Sequence, residues 1–247
     1  MDNYVTTSGE VNKVIDVNVD SSGNIYMMEL VRNRIAIFDS SGTFVKRFGS
    51  YGSGCGQWRI SFSFDIYNDR IYIADHQGHR IVTLDLNGNC LETSLTGYTY
   101  PLAITVGSGG AFVSHSGGTI GYISTYLHAG NKLNYDGTHT LTGYLDATFG
   151  MNLNSAGNKL IAADHDKNQI VEFGVTGNTI TSVERISSNG WGNSTTRFKR
   201  PYDAAYDSSG NIYVTDIRNH RLKKYDSAFN YQSKVGGNSI STTGPFN

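Results

Sequence analysis

The chain is poor in charge, proline and cysteine, and it has no long apolar run. Only 17% of its 247 residues are charged and the formal net charge is −1, where ordinary globular chains carry about 25% charged residues. No global positive field therefore exists to hold a polyanion, and non-specific binding to nucleic acid is disfavoured. Hydrophobic residues, 38% of the total, fall in short runs that never approach the ~18–20 residues needed to span a bilayer. Two cysteines, Cys55 and Cys90, are too few for a disulfide framework and lack C-x-x-C spacing for zinc or redox chemistry. They are expected to be separate thiols. The N-terminus MDNYVTTSGE has neither a basic n-region nor an apolar h-region, so no signal peptide is expected. The composition, rich in Gly, Ser, Thr, Asn and Tyr, still points to an extracellular or particle-surface protein. Asn193-Ser194-Thr195 fits a glycosylation sequon, a short match that arises often by chance.

Glycine is abundant, 29 residues, or about 12% against a usual ~7%. The glycines punctuate a repeat. Gly23-Asn24-Ile25-Tyr26 aligns with Asp69-Arg70-Ile71-Tyr72, Gly109-Gly110-Ala111-Phe112, Asn158-Lys159-Leu160-Ile161 and Gly210-Asn211-Ile212-Tyr213. The spacings of 46, 40, 49 and 52 residues match the ~40–50 residues of a four-stranded propeller blade. Within a copy, apolar residues alternate with period two between Gly, Asn and Ser turns. Blade one reads as strands at about 14–19, 24–29, 34–39 and 43–48. Blade five reads as strands at about 202–206, 211–215, 221–226 and 230–235. The three prolines, Pro101, Pro201 and Pro245, all fall between strands or at a first strand residue. The pattern that stops at Phe246-Asn247 resumes at Lys13. The expectation is one all-β domain over 1–247, a five-bladed β-propeller of four-stranded antiparallel blades at about 13–49, 58–97, 100–146, 147–187 and 198–237. Residues 1–12 and 238–247 are expected to close the ring, which removes exposed sheet edges.

These residues resemble NHL-repeat propellers. The clearest copy runs from Pro201 to Asp226, with Asn219-His220-Arg221-Leu222 standing for the name-giving segment. The same frame places Glu29, Asp75, Asp164 and Asp216 at the end of the second strand, and Arg34, Arg80, Gln169 and Arg221 five residues later. A pair that recurs blade after blade most simply ties the turn between second and third strands. The Gly-rich stretch 49–58 resembles the family's interblade connection; it has no Gly-Lys-Ser/Thr signature and no following helix, so it is not a phosphate cradle.

Function in a repeat scaffold belongs to positions that break the repeat. His76, His115 and His165 directly follow the second-strand terminus and should share one pole. Three imidazoles converging on the axis would hold a single zinc or calcium ion; otherwise no cofactor is expected. The resemblance sharpens this reading, because related propellers include metal-dependent amidating lyases, although their motifs do not match this chain residue by residue. The aromatics Trp58, Tyr98, Tyr100 and Trp191, with Tyr51, lie in the connections and should rim the same pole. Of these, Tyr100 and Trp191 are the strongest candidates for ligand contact, while Trp58 and Phe198 are expected between blades. The stretch 124–148 reads equally as a long hairpin, an insertion or a degenerate blade. Two short basic groups, 197–200 and 221–224, are weak support for RNA binding. The preferred expectation is a non-enzymatic recognition or structural module that presents one pole to a protein partner or glycan. The alternative is a metal-dependent propeller enzyme of lyase or lactone-hydrolase type, with Asp75 and Asp164 assisting the histidines.

Overall fold

A computed structural model of the chain describes residues 10–95, 99–115, 121–140, 144–185 and 190–237. Twenty strands form five antiparallel sheets of four, each strand pairing with its sequence neighbour. Blade 1 comprises β1 (Val14–Val19), β2 (Ile25–Glu29), β3 (Arg34–Phe38) and β4 (Phe44–Phe48). Blade 2 comprises β5 (Ser61–Tyr67), β6 (Arg70–Asp75), β7 (Arg80–Asp85) and β8 (Cys90–Leu95). Blade 3 contains β9 (Pro101–Gly107), β10 (Gly110–His115), β11 (Tyr122–Ala129) and β12 (Lys132–Thr140). Blade 4 contains β13 (Thr148–Leu153), β14 (Lys159–Asp164), β15 (Gln169–Thr176) and β16 (Thr179–Arg185). Blade 5 contains β17 (Pro201–Tyr206), β18 (Ile212–Asp216), β19 (Arg221–Tyr225) and β20 (Tyr231–Gly236). The five-bladed propeller read from the repeat is the observed architecture, and the strands of blades 1 and 5 lie within a residue of expectation. The stretch 124–148 is mainly the long outer hairpin of blade 3, β11 and β12, rather than an insertion or a degenerate blade. The terminal segments expected to close the ring, residues 1–9 and 238–247, lie outside the described residues.

The turns at one pole follow from a short polar code. Asp20, Asp39, Asp85, Asp207 and Asp226 each accept, through Oδ1, the backbone N–H groups two and four residues on. This Asx arrangement closes the loop on itself. The fourth position takes the positive φ that the turn demands, through Gly in four of the five turns, +84° at Gly23 and +79° at Gly210, and through Phe229 at +65° in the Asp226 turn.

Each seam from blade 1 through blade 5 is filled by a separate apolar cluster. Trp58 and Phe198, both fully buried, plug the seams between blades 1 and 2 and between blades 4 and 5. Every inner strand (β1, β5, β9, β13, β17) carries a register shift near its start. Such bulges re-aim side chains, here toward the central channel.

Cys55 and Cys90 form a disulfide with a Cα–Cα distance of 5.5 Å, which overturns the expectation of two separate thiols. Cys90 opens the outermost strand of blade 2, β8, after the turn at the pole opposite the connector that carries Cys55. A real sheet rotates by roughly 20–25° per strand, so the start of the outermost strand swings round toward the connector 49–58.

Candidate functional site

The acid–arginine pairs of the repeat build the pole at which the blades connect. Arg34–Glu29 and Arg80–Asp75 approach to 2.8 Å and Arg221–Asp216 to 2.7 Å, with each carboxylate fully buried. Gln169 Nε2 donates to Asp164 Oδ2 in blade 4. The guanidinium groups then reach further. Arg80 donates to the carbonyls of Ser53, Gly54 and Gln57, and Arg221 to those of Asn193, Ser194 and Arg197. Lys223, fully buried where other blades have Ala36, Val82 and Val171, adds three donations to the carbonyls of Ser194, Thr195 and Arg197. Burial pushes its amine down to about 7, while the three acceptors and the Phe198 ring, 4.2 Å away, favour the charged form.

A second device joins one blade to the next. The residue before the inner strand takes a positive φ at Lys13, Ile60, Tyr100 and Arg200, as does one residue of the second turn at Asn33, His79, Asn168 and His220. Ile60 N–H donates to Asn33 Oδ1 (2.8 Å), Tyr100 N–H to His79 Nδ1 (3.0 Å) and Arg200 N–H to Asn168 Oδ1 (2.8 Å). Sequence reasoning missed these latches. The available signal was Asn or His at one fixed place in the repeat.

Together these ties hold the connectors so that aromatic rings face outward. Tyr51 bridges to buried Trp58 and Trp191 to buried Phe198, so each connector turns one ring into the seam and one toward solvent. Tyr51, Tyr100, Tyr144 and Trp191, one on each of the four connectors, are between 42% and 63% exposed. Lys199 Nζ lies 5.5 Å from the Trp191 ring centre. Tyr98 lies outside the described residues.

Inside this rim, Phe62, Phe149 and Tyr202 project from the starts of β5, β13 and β17 over the channel. Phe62 meets Phe149 edge-on at 5.6 Å and Tyr202 stacks on Phe149 at 5.2 Å. Beneath them is a cavity of about 200 Å³ lined by Asp16, Asp65 and Asp203 with Asn18 and Asn152. Asp16 accepts the Phe64 N–H and Asp65 the Val106 N–H, each from the following blade. Burial pushes Asp65 and Asp203 up to about 6 and raises Asp16 well above the usual carboxylate range, with the Asp203 charge adding to the shift at Asp16. Burial likewise pushes the Tyr202 hydroxyl up to about 12.

The three histidines do reach this pole, but they do not form a metal cradle. His76 and His165 stand at the two ends of an edge-to-face series, His76–Phe62–Phe149–His165. His76 Nδ1 faces the Pro101 carbonyl, His115 Nδ1 the Thr99 carbonyl and His165 Nδ1 the Asp166 carboxylate. Burial lowers His76 and takes buried His115 down to about 4. Among the described residues no group of three or more His, Cys, Asp or Glu side chains is placed to hold a metal ion. Two aromatic rings, Phe62 and Phe149, stand between the His76 and His165 imidazoles. Asp75 and Asp164 are turned to the structural ties described above.

No helix is long and apolar enough to cross a membrane among the described residues. A family model described as a 6-bladed beta-propeller (DUF5128) matches residues 6–104, and an NHL repeat model matches residues 198–225. No curated protein matches the sequence. Similar solved structures include a streptogramin B lyase (18% identity, TM-score 0.65, covering 92% of this chain and 70% of that one) and a virginiamycin B lyase from Staphylococcus aureus (14%, 0.60, 92% and 71%). A chain of a nidogen/laminin complex is also similar (14% identity, TM-score 0.71, 92% and 81%). At such identities the likeness is one of fold. The chain is a β-propeller of five four-stranded blades that carries an NHL repeat.

Proposed function

We propose that this propeller is a recognition module whose connector pole binds a protein partner. The observation that carries the proposal is the exposed aromatic ring on each of the four connectors: Tyr51, Tyr100, Tyr144 and Trp191. Rings of this kind give large contact area at little entropic cost and dominate binding hot spots. They encircle the pole rather than lining one groove, which suits a broad protein surface better than a single sugar chain. The buried arginine ties and Lys223 hold two of these connectors rigid before binding, which lowers the cost of association. A propeller chain of the same fold in a nidogen/laminin complex and the Cys55–Cys90 disulfide, a bond that persists in oxidising compartments, are in keeping with an extracellular protein partner. Imidazoles already turned to carbonyls, a carboxylate and aromatic faces favour recognition over catalysis at this pole.

The test is affinity capture with the wild-type chain beside Y51A/Y100A/W191A and an opposite-pole variant, N87A/S209A. A partner or glycan retained by wild type and N87A/S209A but lost by the triple variant supports the proposal if it is a protein. Retention by the triple variant removes it, and selective retention of glycans moves the assignment to carbohydrate.

A further inference from the structure

The repeat gives the blades a common backbone at the connector pole, which leaves charge there free to differ from blade to blade. Two residues before the inner strand, the N–H groups of Asn12, Arg59, Asp146 and Lys199 donate to the acid at the end of the second strand, Glu29, Asp75, Asp164 and Asp216 in turn. The residue that follows is Lys13, Ile60, Ala147 or Arg200, at the place from which Tyr100 of blade 3 turns its ring into solvent. These equivalent places carry cations in blades 5, 1 and 2 and an acid in blade 4.

Backbone pairing enlarges the cationic side. The Arg218 N–H donates to the Lys199 carbonyl, which sets the two side by side, and Arg197 lies two residues before Lys199. Lys13, Arg197 and Arg218 are exposed, Arg59, Lys199 and Arg200 are half-buried, and among the described residues none of them is in an ion pair. The acids of the pole do not offset them. Glu29, Asp75, Asp164 and Asp216 are fully buried in their own ties, Asp16 and Asp203 line the channel, and Asp146 and Asp166 belong to blade 4. Glu10, exposed shortly before β1, offsets one charge at most. Tyr51 and Trp191 stand on connectors of this same side, with Lys199 Nζ 5.5 Å from the Trp191 ring centre.

We infer that the partner meets this pole with an acidic protein surface, rich in Asp and Glu, seated over blades 5, 1 and 2. The inference rests on the proposed recognition role and names the chemistry of its partner. Unpaired cations interleaved with exposed rings match the cores of protein interfaces, where Arg, Tyr and Trp are enriched. Opposite charge on the partner speeds encounter and fixes its register. A nucleic acid is the poorer match, because its interfaces are much more positively charged than this arc on a chain of net charge −1.

Fluorescence anisotropy with labelled poly-L-glutamate, beside a single-stranded RNA of matched length, tests the inference. Poly-L-glutamate is expected to bind the wild type at low ionic strength, more tightly than the RNA, and to release as salt rises. R59E/K199E/R218E should weaken it by about tenfold or more, and R59Q/K199Q/R218Q, which adds no repulsion within the fold, should weaken it in the same direction. K46E/K132E, at the opposite pole, should bind as wild type does. Absence of poly-L-glutamate binding, equal binding by both connector-pole variants, or tighter binding of the RNA overturns the inference. A captured partner that depends on Tyr51, Tyr100 and Trp191 but on neither these cations nor salt also overturns it and leaves the recognition role standing; a partner indifferent to rings and cations alike removes both.

Discussion

Asp203→Asn is expected to stabilise the propeller at pH 7 and to have little effect at pH 4. Asp203 lines the channel with Asp16 and Asp65, and burial pushes its carboxyl up to about 6. Its pKa in the folded chain lies above the unfolded value of about 3.9. Between those two values the folded state binds more protons, so stability falls as pH rises from about 4 to 6. Above pH 6 the ionised carboxylate imposes its full cost. A rise from 3.8 to about 6 corresponds to about 3 kcal/mol; channel water screens part of this, leaving about 1–2 kcal/mol. For a chain of this size 1 kcal/mol moves the melting temperature by about 2–4 °C, so D203N should gain about 2–8 °C at pH 7. Asn retains the Oδ1 acceptor for the Ala204 N–H, 2.8 Å away, and keeps the volume that Gly150 leaves open, where a Cβ would collide with the Asp203 carboxylate. Thermal unfolding followed by circular dichroism at both pH values reads the effect. Equal gains at pH 4 and pH 7, or no gain at pH 7, would refute the reasoning.

Other perturbations test other links. Lys223→Ala should lower stability by about 2–4 kcal/mol in urea unfolding, because it opens a void in the fully buried place of a long side chain and removes three of the hydrogen bonds that brace the connector; a loss under 1 kcal/mol would contradict the bracing role. Thiol titration of the native chain should find no free cysteine. The C55S/C90S variant should lose about 3–4 kcal/mol, the closure entropy of a 35-residue separation, and a variant as stable as wild type would show that the bond constrains nothing. His115→Gln should flatten the stability loss between about pH 6.5 and 4. The buried imidazole, with its pKa lowered to about 4, binds protons in the unfolded chain first, so stability falls as pH drops; an unchanged acid limb in pH-dependent melting would contradict this.

The repeat was legible because alternation and turn chemistry act locally. Ile25, Ile71, Ala111, Leu160 and Ile212 mark one strand in each blade, and the Asp-to-Gly turns close on their own backbone. The Glu29–Arg34, Asp75–Arg80 and Asp216–Arg221 ties were readable for the same reason, since strand pairing fixes a five-residue separation. What depended on accumulated three-dimensional rotation was not readable. Blade twist brings Cys55 to Cys90, and bulges at the inner-strand starts turn Asp16 and Asp203 into the lumen. Sequence spacing put His76 and His165 at the right pole but gave no sign that Phe62 and Phe149 would lie between them. Tyr51 and Trp191 could be assigned to connectors, but which ring of each connector faces outward is set by the bridges to Trp58 and Phe198.

The hydrogen-exchange footprint of the propeller bound to its captured partner tests the recognition role most directly. The account predicts slowed exchange at the backbone around Tyr51, Tyr100, Tyr144 and Trp191, with the opposite-pole turns at 20–24, 85–89 and 207–211 unchanged. Protection confined to those opposite turns, with the four connectors exchanging as in the free chain, would contradict it.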